Sequence, residues 1–128
     1  MNNKEAEVLQ YYEKELGWVP SFVKVLVKYS PGSLDGYMTM RKEVSKEPPE
    51  GALPKKYKDL IFTILDCVSG EVHGAKAHAV AAVDSGLTMK ELVEGFVIAV
   101  MVTGIPTLCN LGVQAINAAE ERLEGKGR

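Results

Sequence analysis

Both histidines of the chain, His73 and His78, fall close in sequence to Asp59, Asp66 and Glu71, inside the stretch from Leu53 to Gly86. Carboxyls removed from water hold their protons more tightly, and a second carboxylate nearby strengthens that effect. A histidine beside such a group takes up or gives off a proton near neutral pH, which is the equipment for general acid and base work on a small organic substrate. Turning by about 100° per residue along a helix places Asp59, Thr63 and Asp66 on one stripe, and Glu71, Gly74 or Ala75, and His78 on another. His73 then points away from His78. If the two stripes face each other, Asp59, Glu71 and His78 form one catalytic cluster in otherwise apolar surroundings. A structural reading uses the same residues: Asp59 and Glu71 occupy first turns of helices, where the macrodipole favours negative charge, and His78 is a satisfied core or interface histidine.

Other chemistry is less well served. Glu71, His73, His78 and Asp59 are acceptable ligands for zinc or iron. Helical ligands, however, normally stand three or four residues apart and these histidines are five apart, so no metal and no other cofactor is expected. The two cysteines, Cys67 and Cys109, form neither a C-x-x-C nor a zinc-ligand spacing. Cys67 lies in an apolar helical run without an adjacent base to lower its pKa, which predicts an inert thiol. Cys109 follows the helix-breaking Gly104-Ile105-Pro106 and is in a position to line a pocket. Lys55, Lys56 and Lys58 cluster beside Asp59, either to attract an anion or simply as a solvated face. Gly74 costs about 1 kcal/mol relative to alanine inside a helix, so it should either open space for a ligand next to His78 or let another helix approach closely. Close packing is the expectation.

The elements that must position these groups are helices. Residues 4–16 carry Val8, Leu9, Tyr12 and Leu16 at helical spacing and stop at Gly17. Pro20 and Ser21 open a second helix, and Pro31 is placed as the first residue of a third. The segment Lys46 to Pro54, with adjacent prolines and a glycine, cannot continue a helix. A fourth helix is predicted from Pro54 to about Val68, and a fifth from Glu71 to Ser85, with Ser69 as a candidate cap. Thr88 and Glu91 form a capping box for a sixth that ends near Thr103, and a last helix runs from about Thr107 to Leu123. No alternating run separated by a hairpin turn is present, so the fold class is all-α, with six or seven helices. The fourth and sixth helices are apolar around most of their circumference and require burial on several sides, part of it by other subunits.

Residues 1–128 read as one domain, long enough for a core without disulfide or metal staples. A net charge of -2, with Lys and Arg spread along the chain, gives no basic stripe for a phosphate backbone, and nucleic acid is not an expected partner. The apolar run around Phe96 to Val102 is far shorter than the roughly 20 residues of a membrane span. The polar, acidic start MNNKEAEVLQYYEKE is unlike a signal peptide, so a cytoplasmic protein is expected.

GWVPSFVKVLVKYSPGSLDGYMTMRKEV, then LPKKYKDLI, the histidine helix ending AVDSGLTMKEL, and the sixth helix leading into TGIPTLCN together resemble the carboxymuconolactone decarboxylase family, which includes the alkylhydroperoxidase D-like proteins. The resemblance covers roughly residues 16–120 and implies an all-helical domain assembled as a homo-trimer or homo-hexamer, with sites near subunit contacts. It places the family glutamate on Asp59, the two cysteines of the peroxidase branch on Glu71 and Gly74, and the histidine on His78. Asp59 is one methylene shorter than that glutamate. Without the C-x-x-C pair no dithiol is present to reduce a peroxide and close as a disulfide, so peroxidase activity by the family route is disfavoured. The decarboxylase branch implies acid and base groups around the histidine. Loss of carbon dioxide from a lactone acid leaves an extended enolate to be protonated at a distant carbon, and His78, aided by Glu71 or Asp59, is the implied donor. The leading expectation is therefore a cofactor-independent lyase or isomerase acting on a small organic acid or lactone. The alternatives are a non-catalytic oligomeric ligand-binding protein and residual redox chemistry at Cys67 or Cys109.

Overall fold

The structure, a computed structural model, describes residues 3–126. Among these residues there are seven α-helices, one π-helical turn and no strand, as the hydrophobic periodicity requires. The chain divides after Ala52 into two compact units.

The first unit holds α1 (Asn3–Leu16), α2 (Ser21–Tyr29) and α3 (Pro31–Val44). Gly17, with φ of 76°, ends α1 in the left-handed region that glycine enters without steric cost. Pro31 starts α3, where its missing N–H costs nothing. The core of this unit is Tyr12, Val23, Leu34 and Met38, surrounded by Val8, Leu16, Phe22 and Leu26. Aromatic rings meet edge to face in it, Tyr12 against Phe22 at 6.2 Å and Phe22 against Tyr37 at 5.1 Å between centroids. The guanidinium of Arg41 lies over the rings of Tyr11 and Tyr12, at 6.0 and 5.5 Å. Burial raises the Tyr12 hydroxyl pKa well above the usual phenol range.

The second unit holds α4 (Lys55–Ser69), α5 (Val72–Asp84), α6 (Met89–Thr103), a π-helical turn (Leu108–Gly112) and α7 (Val113–Lys126). Gly70, with φ of 82°, turns the chain at the end of α4. The Glu71 N–H then donates back to the Asp66 carbonyl at 2.8 Å, so that α4 and α5 form an antiparallel hairpin. Ser69, the expected cap of α5, is instead the last residue of α4. The cap is Glu71, whose carboxylate accepts from the His73 and Gly74 amides. A two-residue turn through Gly70 leaves Glu71, not Ser69, next to the open amides of α5. The Thr88–Glu91 capping box forms with both reciprocal bonds. The final helix opens as the π-helical turn before becoming α-helical, and it continues to Lys126 rather than stopping at Leu123; Gly127 and Arg128 of the predicted polar tail lie outside the described residues.

The core of this unit is built on small residues. Ala75, Ala79 and Ala82 of α5 and Ala115 and Ala119 of α7 are fully buried, with Leu92 and Phe96 of α6 packed against the same cluster. Alanine at these positions lets helix backbones come close without a helix-propensity penalty. α4 and α6 each bury one face and leave the other open to solvent: Leu65 is 56% exposed and Met101 and Val102 are 82% and 87% exposed. Within one chain these helices are therefore not covered on all the sides that their sequence leads one to expect. Among the described residues no helix is long and apolar enough to cross a membrane.

Candidate functional site

The α4–α5 hairpin brings the two polar stripes face to face. From α4 come Asp59, Phe62, Thr63 and Asp66, spaced so that one side of the helix presents all four. The Thr63 hydroxyl donates to the Asp59 carbonyl at 2.7 Å, which satisfies it without using the Asp59 carboxylate. From α5 comes His78, which is 6% exposed; Asp59 is also 6% exposed.

The His78 ring is held on three sides. Its Nδ1 lies 3.3 Å from Asp59 Oδ1. Its face stacks on Phe62, with centroids 4.6 Å apart and planes 19° from parallel. Its Nε2 lies 4.0 Å from Asp66 Oδ2, a charge-pair separation rather than a hydrogen bond. The second oxygen of Asp59 accepts from Lys55 Nζ at 2.6 Å, one helical turn away. In the tautomer that carries its proton on Nδ1, the ring donates to Asp59 and presents Nε2 as its acceptor nitrogen. Lys55 contributes a positive charge at the other end of the same carboxylate. The order Lys55, Asp59, His78 thus runs from a partly exposed ammonium to a buried imidazole.

Of the three residues expected to cluster, Asp59 and His78 meet. Glu71 lies at the start of α5 with its Oε1 turned to the backbone, accepting from the His73 N–H at 3.1 Å and the Gly74 N–H at 3.3 Å. Its geometry is that of a helix cap. The carboxylate nearest Nε2 is Asp66. Asp66 falls on the same helical stripe as Asp59, two turns beyond it, and that spacing is its signal in the sequence. Lys55 and Phe62 were likewise readable as i−4 and i+3 neighbours of Asp59 once that residue was chosen. His73 is exposed. Among the described residues no three His, Cys, Asp or Glu side chains gather closely enough to hold a metal ion.

What lies against Gly74 is a side chain rather than the backbone of another helix. A Cβ at this position would lie 2.5 Å from Asp66 Oδ2, 3.0 Å from its Cγ and 3.1 Å from Glu71 Cγ, so any larger residue here requires the Asp66 carboxylate to shift from its place against α5. The lysine cluster is not one patch, because Lys55 pairs with Asp59 while Lys56 Nζ sits 5.1 Å above the Tyr57 ring. Cys67 is buried and Cys109 exposed, both as free thiols. Burial pushes the Cys67 thiol up to about 11, with the negative charge of Asp66 adding to the effect. A thiol so placed stays protonated at neutral pH and is a poor nucleophile.

These features define an all-helical protein with a buried histidine–aspartate pair between hairpin helices and no vicinal dithiol. No protein-family model matches the chain, and no curated protein matches it. A solved structure does: a protein of Burkholderia xenovorans LB400, provisionally named a carboxymuconolactone decarboxylase, is similar over 95% of this chain and 98% of its own length, at 35% identity and a TM-score of 0.81. The chain belongs to the carboxymuconolactone decarboxylase family.

Proposed function

We propose that the protein is a cofactor-independent lyase or isomerase that moves a proton on a small organic acid or lactone, with His78 as the group that gives and takes it. The observation that carries this reading is the buried His78–Asp59 pair, in which the carboxylate engages Nδ1 at 3.3 Å. In a decarboxylation, the bond to the departing carboxylate breaks and its electron pair passes into an extended enolate. The protonated His78 ring then gives its Nε2 proton to the distant carbon and is reprotonated from solvent. Asp59 holds the ring and balances its positive charge, and Lys55 keeps Asp59 in place. Glu71 enters this reading as the cap that fixes the first turn of α5. The provisional name of the Burkholderia relative agrees with a reaction of this class.

The active form in this reading is a cytoplasmic homo-trimer or homo-hexamer. Its support is the apolar outer surface of α4 and α6, where Ile61, Leu65, Ile98 and Met101 are all exposed in the single chain. The test is a panel of lactones and β-keto acids assayed with the wild type and with His78→Ala. Turnover is lost in the variant while sedimentation shows the same assembly. Turnover unchanged in His78→Ala sinks the assignment, and an assembly that falls apart identifies the histidine as an interface residue in a non-catalytic binding protein.

A further inference from the structure

Gly74 stands in the first turn of α5, its N–H donating to the Glu71 cap, and glycine is a poorer helix former there than alanine. It is also buried. What fills the space of its missing side chain is the Asp66 carboxylate, whose Oδ2 would lie 2.5 Å from a Cβ at 74. The same oxygen stands 4.0 Å from His78 Nε2. The two carboxylates of the site differ in setting: the Asp59 side chain is 8% exposed and engages Nδ1, whereas that of Asp66 is 26% exposed and faces Nε2. Asp59 is the inner partner of the ring and Asp66 the outer one.

Resting on the reading of His78 as the proton-transfer group, we propose that Asp66 is a positioning residue of that site, seated in the notch left by Gly74 so that its carboxylate holds the outward ring nitrogen toward the substrate side. At 4.0 Å the pair attracts without a hydrogen bond, so Nε2 remains able to hand its proton to a third group. The notch and the carboxylate form one device. Any side chain at 74, cysteine included, displaces the carboxylate from Nε2, so this arrangement and a thiol at 74 exclude each other. Asp66 and Gly74 should thus behave as a coupled pair even though one lies on α4 and the other on α5.

The test uses the full chain, labelled with 15N-histidine and free of substrate. In Asp66→Asn the Nε2 resonance of His78 moves more than its Nδ1 resonance, and in Asp59→Asn the order is reversed. Gly74→Ala reproduces the Nε2 movement without altering the carboxylate itself. Thermal melts supply a second readout: Gly74→Ala lowers the melting temperature more when Asp66 is present than in an Asp66→Ala background, where the clash with the carboxylate is gone and the contact of the new Cβ with Glu71 Cγ at 3.1 Å is common to both. An Nε2 resonance unmoved in both Asp66→Asn and Gly74→Ala overturns the proposal, as does a Gly74→Ala change of equal size in both backgrounds. These outcomes are separable from failure of the functional reading. Unchanged turnover in His78→Ala removes the catalytic assignment while the Nε2 signature persists. Loss of turnover in His78→Ala with an unmoved Nε2 removes the role of Asp66 alone.

Discussion

At the scale of single residues, the site is a buried imidazole with a different neighbour on each side. Asp59→Asn keeps the shape of the inner partner and removes its charge, so it is expected to lower turnover by about a hundredfold, the smaller end of what acid–base groups contribute. Lys55→Met should have a milder effect in the same direction, because the ammonium acts through Asp59 rather than on the ring. Steady-state kinetics with any active substrate of the panel checks both. The thiols give a prediction independent of substrate. Cys109, exposed, reacts with a thiol reagent at neutral pH, whereas Cys67 reacts only as the pH approaches about 11 or after unfolding. Because burial raises the folded-state value, Cys67 contributes stability that is complete below the ordinary thiol range and is lost as pH rises through about 11. The residue choices were partly legible in the sequence. Asp59 and His78 could be chosen from helical spacing and the family resemblance, but spacing gives only a direction around a helix. It could not tell that Glu71 would turn its carboxylate to its own backbone, or that Asp66 would take the place beside Nε2.

At the scale of elements, the hairpin of α4 and α5 is what converts two stripes into a site, and its turn decides which residue caps which helix. The capping box of α6 was fully readable, because Thr88 and Glu91 carry the whole motif within four consecutive residues. The cap of α5 was not, because it depends on the left-handed turn at Gly70 and so on a bond from Glu71 N–H to a carbonyl in the preceding helix. Thr88→Ala is expected to destabilise the fold by about 1 kcal/mol in denaturant melts. Its partner adds a pH dependence. The hydrogen bond from the Thr88 amide holds the Glu91 carboxyl below its usual value, so its contribution is complete above the ordinary carboxyl range and lost as pH falls through that lowered value. The melting temperatures of Glu91→Gln and wild type should therefore differ at neutral pH and converge in acid. The π-helical turn before α7 left no mark in the periodicity, since the apolar pattern of Leu108, Leu111 and Ile116 reads equally well as a continuous helix.

At the scale of the molecule, the all-α class and the expectation of six or seven helices followed from hydrophobic period, glycine stops and proline starts, all of which act locally, and the described residues form seven α-helices. What the sequence could not decide is what covers the outer apolar surfaces of α4 and α6, which stay exposed in the single chain. If these surfaces meet in a homo-trimer or homo-hexamer, Leu65→Asp or Met101→Asp introduces a charge into an apolar contact and should dissociate the assembly in sedimentation experiments; an unchanged sedimentation coefficient for both would place the subunit contacts elsewhere. The family assignment, spanning 95% of the chain, is compatible with many substrates, so the central claim concerns the chemistry of His78 rather than any one compound. The most direct measurement is turnover in heavy water, with the product examined by mass spectrometry and NMR. Wild-type protein should place one solvent deuterium on the carbon remote from the departing carboxylate, and His78→Ala, correctly folded and assembled, should form no such product. Labelled product formed by His78→Ala at the wild-type rate would contradict a proton-transfer role for His78.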